Sequence, residues 1–417
     1  MTVLKTTTKL RKWWNQFPSN LRIITICRFL ASIGAGGVLY LTPLIFNDLS
    51  FSATEIGIGF VAAAFAGTIT RFSTGVFLDK GISFSLPLRI AGILAITADL
   101  FLLIASTKQI YFIGEFFLGA AAGIYWPSVE LAIPTCCDKN NSNKGFALAR
   151  SADALGITTG ALIGSIAASF NYIRFIYINE AICMLILISI VQGISFKSLF
   201  QSSNKQKNHR KEERLYTKRK ELNDLLKLIA PILILSILST GILSLMQIAL
   251  QLDIANGGIY RPGINGKWTT WIISFQLTLL PLIQWPIGYW LTKRNFIYGF
   301  KISLLSFSLG CLLLSLSSLF SNGIFLLIIA LIPISIGIAS YLPTGTEAIF
   351  KVSPIKYKGL GMALYSQTFG ISFLIFPLVA GKLIDSQGNA MLLWLIISFT
   401  CIVAYPITNY IERTRII

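Results

Sequence analysis

Several charged side chains fall inside long apolar runs in the first half of the chain. They are Arg28, Arg71, Asp99, Glu115, Arg150, Asp153 and Glu180. A charge at the centre of a bilayer costs at least about 2.5–3.5 kcal/mol, so it normally lines a cavity or has a partner. Buried carboxyl groups have raised pKa values and exchange protons near neutral pH.

These charges suggest proton chemistry. We predict that Asp99, Glu115 or Glu180 binds an exchangeable proton and that Arg28 or Arg71 supplies the counter-charge. Arg150 and Asp153 lie one helical turn apart, where they are expected to pair with each other. The alternative reading is a set of static ion pairs.

The composition places these residues in a membrane. The 417 residues are 54% hydrophobic and 12% charged, whereas a soluble domain has about 25% charged residues. The basic residues that give the net charge of +18 lie between the apolar runs, and this distribution argues against nucleic-acid binding. His209 is the sole histidine and no phosphate-binding loop occurs, so we expect neither an enzyme nor a cofactor. The six cysteines lack metal-ligand spacing and are predicted to pack as small apolar residues.

Apolar windows long enough to cross a bilayer recur along the chain. They lie near 21–46, 54–78, 85–107, 110–133, 146–169, 172–194, 226–250, 267–291, 297–319, 324–349, 359–382 and 389–410. The sequence therefore predicts an all-α protein with about twelve transmembrane helices. The polar gap at 195–225 separates an N-terminal six-helix bundle (1–194) from a C-terminal one (226–417).

Lysine and arginine are concentrated in alternate loops, in both terminal segments and in the gap at 195–225. Such bias marks the cytoplasmic side, so both termini and the basic linker are predicted to be cytoplasmic and the protein to lie in the inner (plasma) membrane. The linker is read as solvated; binding to anionic lipid headgroups is the alternative.

The two halves share short motifs in the same order. Gly75 matches Gly288, Pro127 matches Pro343, and the step at 144–145 matches that at 358–359. These pairs are separated by about half the chain, which indicates duplication of a six-helix unit. Two such halves related by an axis along the membrane normal form a known transporter architecture.

On these residues the chain resembles the major facilitator superfamily of transporters. The family's motif between spans two and three, roughly G-x-L-a-D-R-x-G-R-R, appears as Gly75-Val-Phe-Leu-Asp79-Lys80-Gly81 without its trailing G-R-R. The resemblance implies that Asp79 latches the halves on the cytoplasmic side in the outward-open state. Gly75 is expected to let another helix approach closely, and Asp79, at the C-terminal end of its own helix, needs an external partner.

A second motif of the family lies in span five. Gly156, Gly160 and Gly164 keep the four-residue spacing of proton-coupled exporters, although Ala161 stands where proline is usual. Such glycines form a smooth face for helix packing. In span four, Glu115 replaces the arginine that the exporters carry before a glycine, so the exporters' proton relay does not transfer directly.

Pro127 and Pro343 interrupt two equivalent spans. Proline removes a backbone hydrogen bond and bends a helix, so these two positions are predicted hinges for alternating access. Proline bends are also common in membrane helices as packing features, and the sequence does not choose between the two roles.

We therefore predict a monomeric secondary transporter that exports a small organic molecule in exchange for protons and contacts membrane lipids. The first alternative is an uptake symporter. The second, from a different class, is a non-transporting membrane assembly factor on the same scaffold.

Overall fold

The computed structural model describes residues 14–79, 82–136, 142–192, 213–291, 294–354 and 358–413. The secondary structure in these ranges is helical, without a strand. Its long helices are α1 (Ser19–Asp48), α2 (Ala53–Asp79), α3 (Ser85–Ile104), α4 (Lys108–Thr135), α5 (Ser142–Ser169), α6 (Phe175–Gln192), α7 (Glu213–Asn256), α8 (Gly266–Leu291), α9 (Phe296–Ser317), α10 (Ile324–Val352), α11 (Lys358–Gln387) and α12 (Met391–Arg413). The all-α prediction is confirmed for the described part of the chain.

The helices are those of a multi-pass membrane protein. Within the described ranges, 11 helices are long and apolar enough to cross a membrane. The one that falls outside this set is α4, which carries Lys108, Glu115 and Glu130. Many large apolar side chains are solvent-exposed in the isolated chain, such as Phe72 at 60% and Phe399 at 66%, as expected of surfaces that face lipid.

Helix α7 is longer than the predicted span. It begins at Glu213, whereas the apolar window begins near 226, so the last part of the predicted linker is helical. This segment, ERLYTKRKELNDL, is rich in glutamate, lysine, arginine and leucine, which are good helix formers even without an apolar face. Residues 193–212 lie outside the described ranges.

Contacts group the chain into two compact units. Unit 1 comprises Met1–Val38, Ala66–Ala167 and Arg174–Asn204. Its core contains fully buried Val129, Ala149 and Leu187. Arg174, before α6, donates hydrogen bonds to the carbonyl oxygens of Leu103 and Ala105, which ties the start of α6 to the end of α3.

Unit 2 comprises Leu39–Phe65, Ala168–Ile173 and Lys205–Ile417. Buried hydroxyl groups join helices α7 and α11: Thr240 and Ser372 are hydrogen-bonded at 2.7 Å, and Ser372 donates to the Ile237 carbonyl at 2.8 Å. These bonds satisfy polar groups that lie away from water.

The loop after α7 is fixed by a buried ion pair in unit 2. Arg261 donates to Asp253 Oδ1 at 2.7 Å and to the Asp253 carbonyl at 2.8 Å. Trp394 donates to the other carboxylate oxygen at 3.0 Å. Gly257 has a φ of +85°, a conformation that glycine adopts without strain. The loop is therefore a folded part of unit 2.

Candidate functional site

Three carboxyl groups from three helices of unit 1 lie together in its interior. Asp99 belongs to α3, Glu115 to α4 and Glu180 to α6. Each residue is 2% exposed. The structure thus brings together the three acids that the sequence predicted as proton carriers.

Asp99 and Glu180 form a pair within this cluster. Their side chains lie within hydrogen-bonding range of each other. Both carboxylate oxygens of Asp99, and Oε2 of Glu180, are buried and find no donor among the described groups. Two ionised carboxylates only repel each other, but one proton shared between them makes a hydrogen bond. The geometry therefore suits a carboxyl–carboxylate pair that holds a single proton.

Glu115 adds a third carboxyl group to the cluster. Its carboxyl group is close enough to interact electrostatically with Glu180. Tyr111, one turn earlier on α4, is fully buried beside Glu115 and Tyr177. A charge on Glu115 therefore disfavours a charge on Glu180.

Glycines place the helix backbones close to the acid cluster. A Cβ added at Gly34 of α1 would lie 2.8 Å from Glu180 Cγ, and one added at Gly92 of α3 would lie 2.8 Å from Ile188 Cγ1 on α6. Any larger residue at Gly34 would collide with the Glu180 side chain. Glycine at these two positions therefore lets α1 and α3 pack closely against α6.

Arg28 pairs with an acid outside the cluster. Its Nε donates to Asp153 Oδ1 at 2.6 Å, and Ser32 donates to the same oxygen at 3.1 Å. The guanidinium also lies 5.0 Å from the ring centroid of Trp126. Arg28 therefore joins α1, α4 and α5 in a separate ion-pair site with a cation–π contact.

Arg71 also interacts with an acid outside the cluster. It interacts electrostatically with Glu130, and Arg150 lies 3.4 Å from Glu130 Oε1. The expected pairing of Arg150 with Asp153 is wrong, because Asp153 is engaged by Arg28 from another helix. The partners shown for Arg28 and Arg71 are thus acids outside the cluster, and their role as its counter-charge stays a prediction.

Only part of the predicted cytoplasmic latch lies among the described residues. Asp79 is the last residue of α2; its side chain and all of Lys80 lie outside the described residues. A Cβ at Gly75 would meet no described atom within 4 Å, and the same holds for its repeat partner Gly288. No described helix approaches Gly75 closely, and its role in helix packing stays a prediction.

Two glycines of span five lie at a tight helix crossing. A Cβ at Gly160 would lie 1.9 Å from the Ile33 carbonyl oxygen, and one at Gly156 would lie 2.7 Å from the Phe29 carbonyl oxygen. Gly164 is also buried on α5. These contacts press α5 against α1 and bring Asp153 within reach of Arg28.

Both predicted hinges lie within continuous helices, Pro127 in α4 and Pro343 in α10. The hydroxyl group after each proline donates to the carbonyl four residues earlier: Ser128 to Ile124 and Thr344 to Ser340, both at 2.7 Å. The two spans thus share local geometry as well as sequence, which agrees with the internal repeat.

Two acids of the second half were missed by the sequence reading. Asp253 lies just beyond the predicted apolar window, and its partner Arg261 is eight residues on in a loop. Asp385 is on α11 and contacts the start of α2. The spacing Gly381-x-x-x-Asp385, which repeats Gly75-x-x-x-Asp79, was the available signal for the latter.

Comparison with known proteins identifies the class. The family model of the Major Facilitator Superfamily matches residues 24–293, and the chain belongs to this family. It is a transporter-family protein and not an enzyme. No significant match was found among curated protein sequences.

Solved structures share the fold. A mutant of the nucleoside transporter NupG superposes with a TM-score of 0.76 at 16% identity, covering 94% of this chain and 100% of that one. A POT family transporter in complex with a thioalcohol-conjugated peptide gives a TM-score of 0.76 at 15% identity, covering 96% and 99%. At these identities the similarity establishes the fold.

Proposed function

We propose that this protein is a proton-coupled secondary transporter that exports a small organic solute by alternating access. Membership of the transporter family supports the transport role. The observation that carries the proton coupling is the buried Asp99–Glu180 pair, which lacks a basic partner among the described residues.

The chemistry of the pair suits an exchangeable proton. With one proton, the pair carries one negative charge and a hydrogen bond; with two, it is neutral. A second proton that binds from one side of the membrane would neutralise the site, and its release to the other side would restore the negative charge. Because a buried charge is costly, each protonation state favours a different surrounding arrangement of helices, which is what coupling requires.

Transport in everted membrane vesicles tests the direction. In vesicles acidified inside, an exporter that exchanges solute for protons accumulates solute while protons leave the lumen. An uptake symporter would release preloaded solute under the same gradient. Absence of any gradient-dependent flux, together with a stoichiometric membrane partner in a pull-down, would favour the assembly-factor alternative.

Paired substitutions test the proton site. Asp99→Asn and Glu180→Gln each replace a carboxyl group by an amide of similar size that donates the missing hydrogen bond. We expect both variants to fold and to lose gradient-driven accumulation, while exchange of solute without a gradient remains. Glu347→Gln, a carboxyl group with 40% exposure on α10, is the matched control and should keep accumulation.

Neutralising Glu115 together with Asp99 and Glu180 tests its role. If accumulation still follows the pH gradient after Asp99, Glu115 and Glu180 are all neutralised, the proton does not travel through this cluster and the proposal fails. Loss in the Asp99 and Glu180 variants alone would assign Glu115 a modulating role through its charge.

The proposal includes the finer architecture. All twelve helices, α4 included, cross the inner membrane as two six-helix bundles at 1–194 and 226–417, with both termini and the linker at 195–225 on the cytoplasmic side. Asp79 latches the cytoplasmic ends, and Pro127 and Pro343 bend during the cycle. The working unit is a monomer in contact with lipid.

A further inference from the structure

A short turn joins α8 to α9 at one end of unit 2. Helix α8 ends at Leu291 and α9 begins at Phe296. Both helices are long and apolar enough to cross a membrane, so the turn lies where the hydrocarbon core gives way to the lipid headgroups. On the proposed orientation this is the cytoplasmic surface of the membrane.

Hydrogen bonds fix the conformation of the turn. The Arg294 amide donates to the Leu291 carbonyl oxygen at 2.9 Å, and the Tyr298 amide donates to the Asn295 carbonyl oxygen at 3.0 Å. The Asn295 side chain accepts from the Ile297 amide at 3.3 Å and so caps α9. Arg294 is therefore held at a defined place between the two helices.

Two aromatic rings contact the Arg294 side chain. Its Cζ lies 5.4 Å from the ring centroid of Trp290 on α8 and 5.8 Å from the ring centroid of Tyr298 on α9. Separations below about 6 Å are those of cation–π contacts. Because the guanidinium is planar and already positioned by these rings, it loses less conformational entropy on binding an anion than a freely rotating side chain does.

Arg294 differs from its basic neighbour on α9 in how its charge is balanced. Lys301 donates to Glu412 Oε2 at 2.6 Å, so its charge is paired. None of the carboxylate groups in the described ranges forms an ion pair with Arg294, and its side chain is exposed. The guanidinium can therefore bind an external anion without first giving up an acid partner.

The surroundings of Arg294 select the kind of anion. Trp290 is 44% exposed and Tyr298 is 43% exposed, and tryptophan and tyrosine favour the level of the lipid headgroups. Arginine matches a phosphate group with two parallel hydrogen bonds. Anionic lipids give the cytoplasmic leaflet a negative surface potential, which attracts basic groups next to the membrane.

We propose that Arg294, Trp290 and Tyr298 form a binding site for the phosphate group of an anionic phospholipid. The phosphate accepts hydrogen bonds from the Arg294 guanidinium, and the two rings hold that guanidinium at the depth of the headgroups. This headgroup site goes beyond the proposed transport activity, because it requires only that the chain spans a membrane.

Lipid titration of the full chain tests the headgroup site. Protein in a neutral detergent is titrated with dioleoyl phosphatidylglycerol, and the adduct with one lipid is quantified by native mass spectrometry. Dioleoyl phosphatidylcholine, whose headgroup has no net charge, should bind about fivefold more weakly. Inorganic phosphate in excess should leave the phosphatidylglycerol adduct unchanged, because a free anion lacks the acyl chains that hold the lipid at the protein surface.

Substitutions that leave the charge unchanged separate a built site from general surface attraction. The double variant Trp290→Leu with Tyr298→Leu removes both rings and should weaken the binding of phosphatidylglycerol about tenfold, since two cation–π contacts no longer position the guanidinium. The matched control, Trp290→Phe with Tyr298→Phe, keeps both rings and should stay within about twofold of wild type.

Substitutions of arginine test the cation itself. Arg294→Gln should weaken binding about tenfold, and Arg294→Lys should give an intermediate loss because lysine keeps the charge without the planar fork. The control is Arg413→Gln, which removes an exposed arginine next to Glu412, the acid that pairs with Lys301 of α9. This control should stay within about twofold of wild type.

The substituted side chains are exposed, so all variants are expected to fold, and their unfolding temperatures without lipid should match that of wild type. Wild-type affinity in the double leucine variant would overturn the headgroup site. Equal losses for Arg294→Gln and Arg413→Gln would show diffuse attraction and would also overturn it. Equal binding of the two lipids, or displacement of phosphatidylglycerol by inorganic phosphate, would refute the assignment to an anionic phospholipid.

Discussion

Removal of the Asp153 carboxylate is expected to destabilise the protein strongly. The Arg28 and Asp153 side chains are 1% and 9% exposed, so Asp153→Ala leaves an uncompensated cation in the interior, a change that costs about 3–5 kcal/mol. The contact of Arg28 with Trp126, at 5.0 Å, is present in both proteins and cancels in the comparison. We therefore expect a loss of about 3–5 kcal/mol in the free energy of unfolding.

The assay is equilibrium unfolding of the purified protein in mixed detergent micelles, with a double-mutant cycle. The cycle uses Arg28→Met and Asp153→Leu, each alone and then combined; the double variant removes both charges and keeps most of the volume, so it should lie within about 1 kcal/mol of wild type. The coupling energy should then exceed about 2 kcal/mol.

An exposed pair provides the comparison. The side chains of Arg150 and Glu130 are 54% and 45% exposed. Arg150→Met breaks their contact and should change the free energy of unfolding by less than about 1 kcal/mol. Additive effects of the Arg28 and Asp153 changes, or a cost for Asp153→Ala no larger than that for Arg150→Met, would refute the idea that burial makes the Arg28 pair essential.

Three further outcomes are expected. Gly160→Ala should lower the unfolding temperature in detergent, because the new methyl group would lie 1.9 Å from a backbone carbonyl of α1, whereas Gly75→Ala should not. Arg261→Met should free the loop after α7, measured as faster chymotrypsin cleavage at Tyr260 than in wild type; equal cleavage rates would mean that other contacts hold the loop. Loss of the exposed Lys301 ion pair through Lys301→Ala should change the free energy of unfolding by less than about 1 kcal/mol, measured by the same detergent titration.

The sequence predicted what depends on local composition. Apolar length determined the helices, and polar residues inside those runs pointed to Asp99, Glu115 and Glu180, which the structure places together. A charged residue inside an apolar run can be recognised from the sequence alone, because the free-energy cost of placing it in the membrane does not depend on which partner it finds.

The partners themselves were not predictable. Asp153 pairs with Arg28, 125 residues away, and the nearby Arg150 turns to Glu130 instead. Proximity in the sequence favoured a pair between Arg150 and Asp153. The Asp153 carboxylate instead stabilises Arg28, because a buried guanidinium loses more free energy without a partner than an exposed one does. For the same reason Asp385, with a backbone partner 332 residues away, could not be assigned from its surroundings in the chain.

The two arginines in the loops before α6 and after α7 carry a last implication. Arg174 is engaged by two backbone carbonyls and Arg261 by Asp253 and Ser317. On the proposed orientation both lie on the outer face, where arginine is disfavoured during insertion. Their guanidinium groups join helix ends, and the Asp253 carboxylate also neutralises the charge of Arg261. The outer loops therefore present less net positive charge to an approaching solute than the count of basic residues suggests.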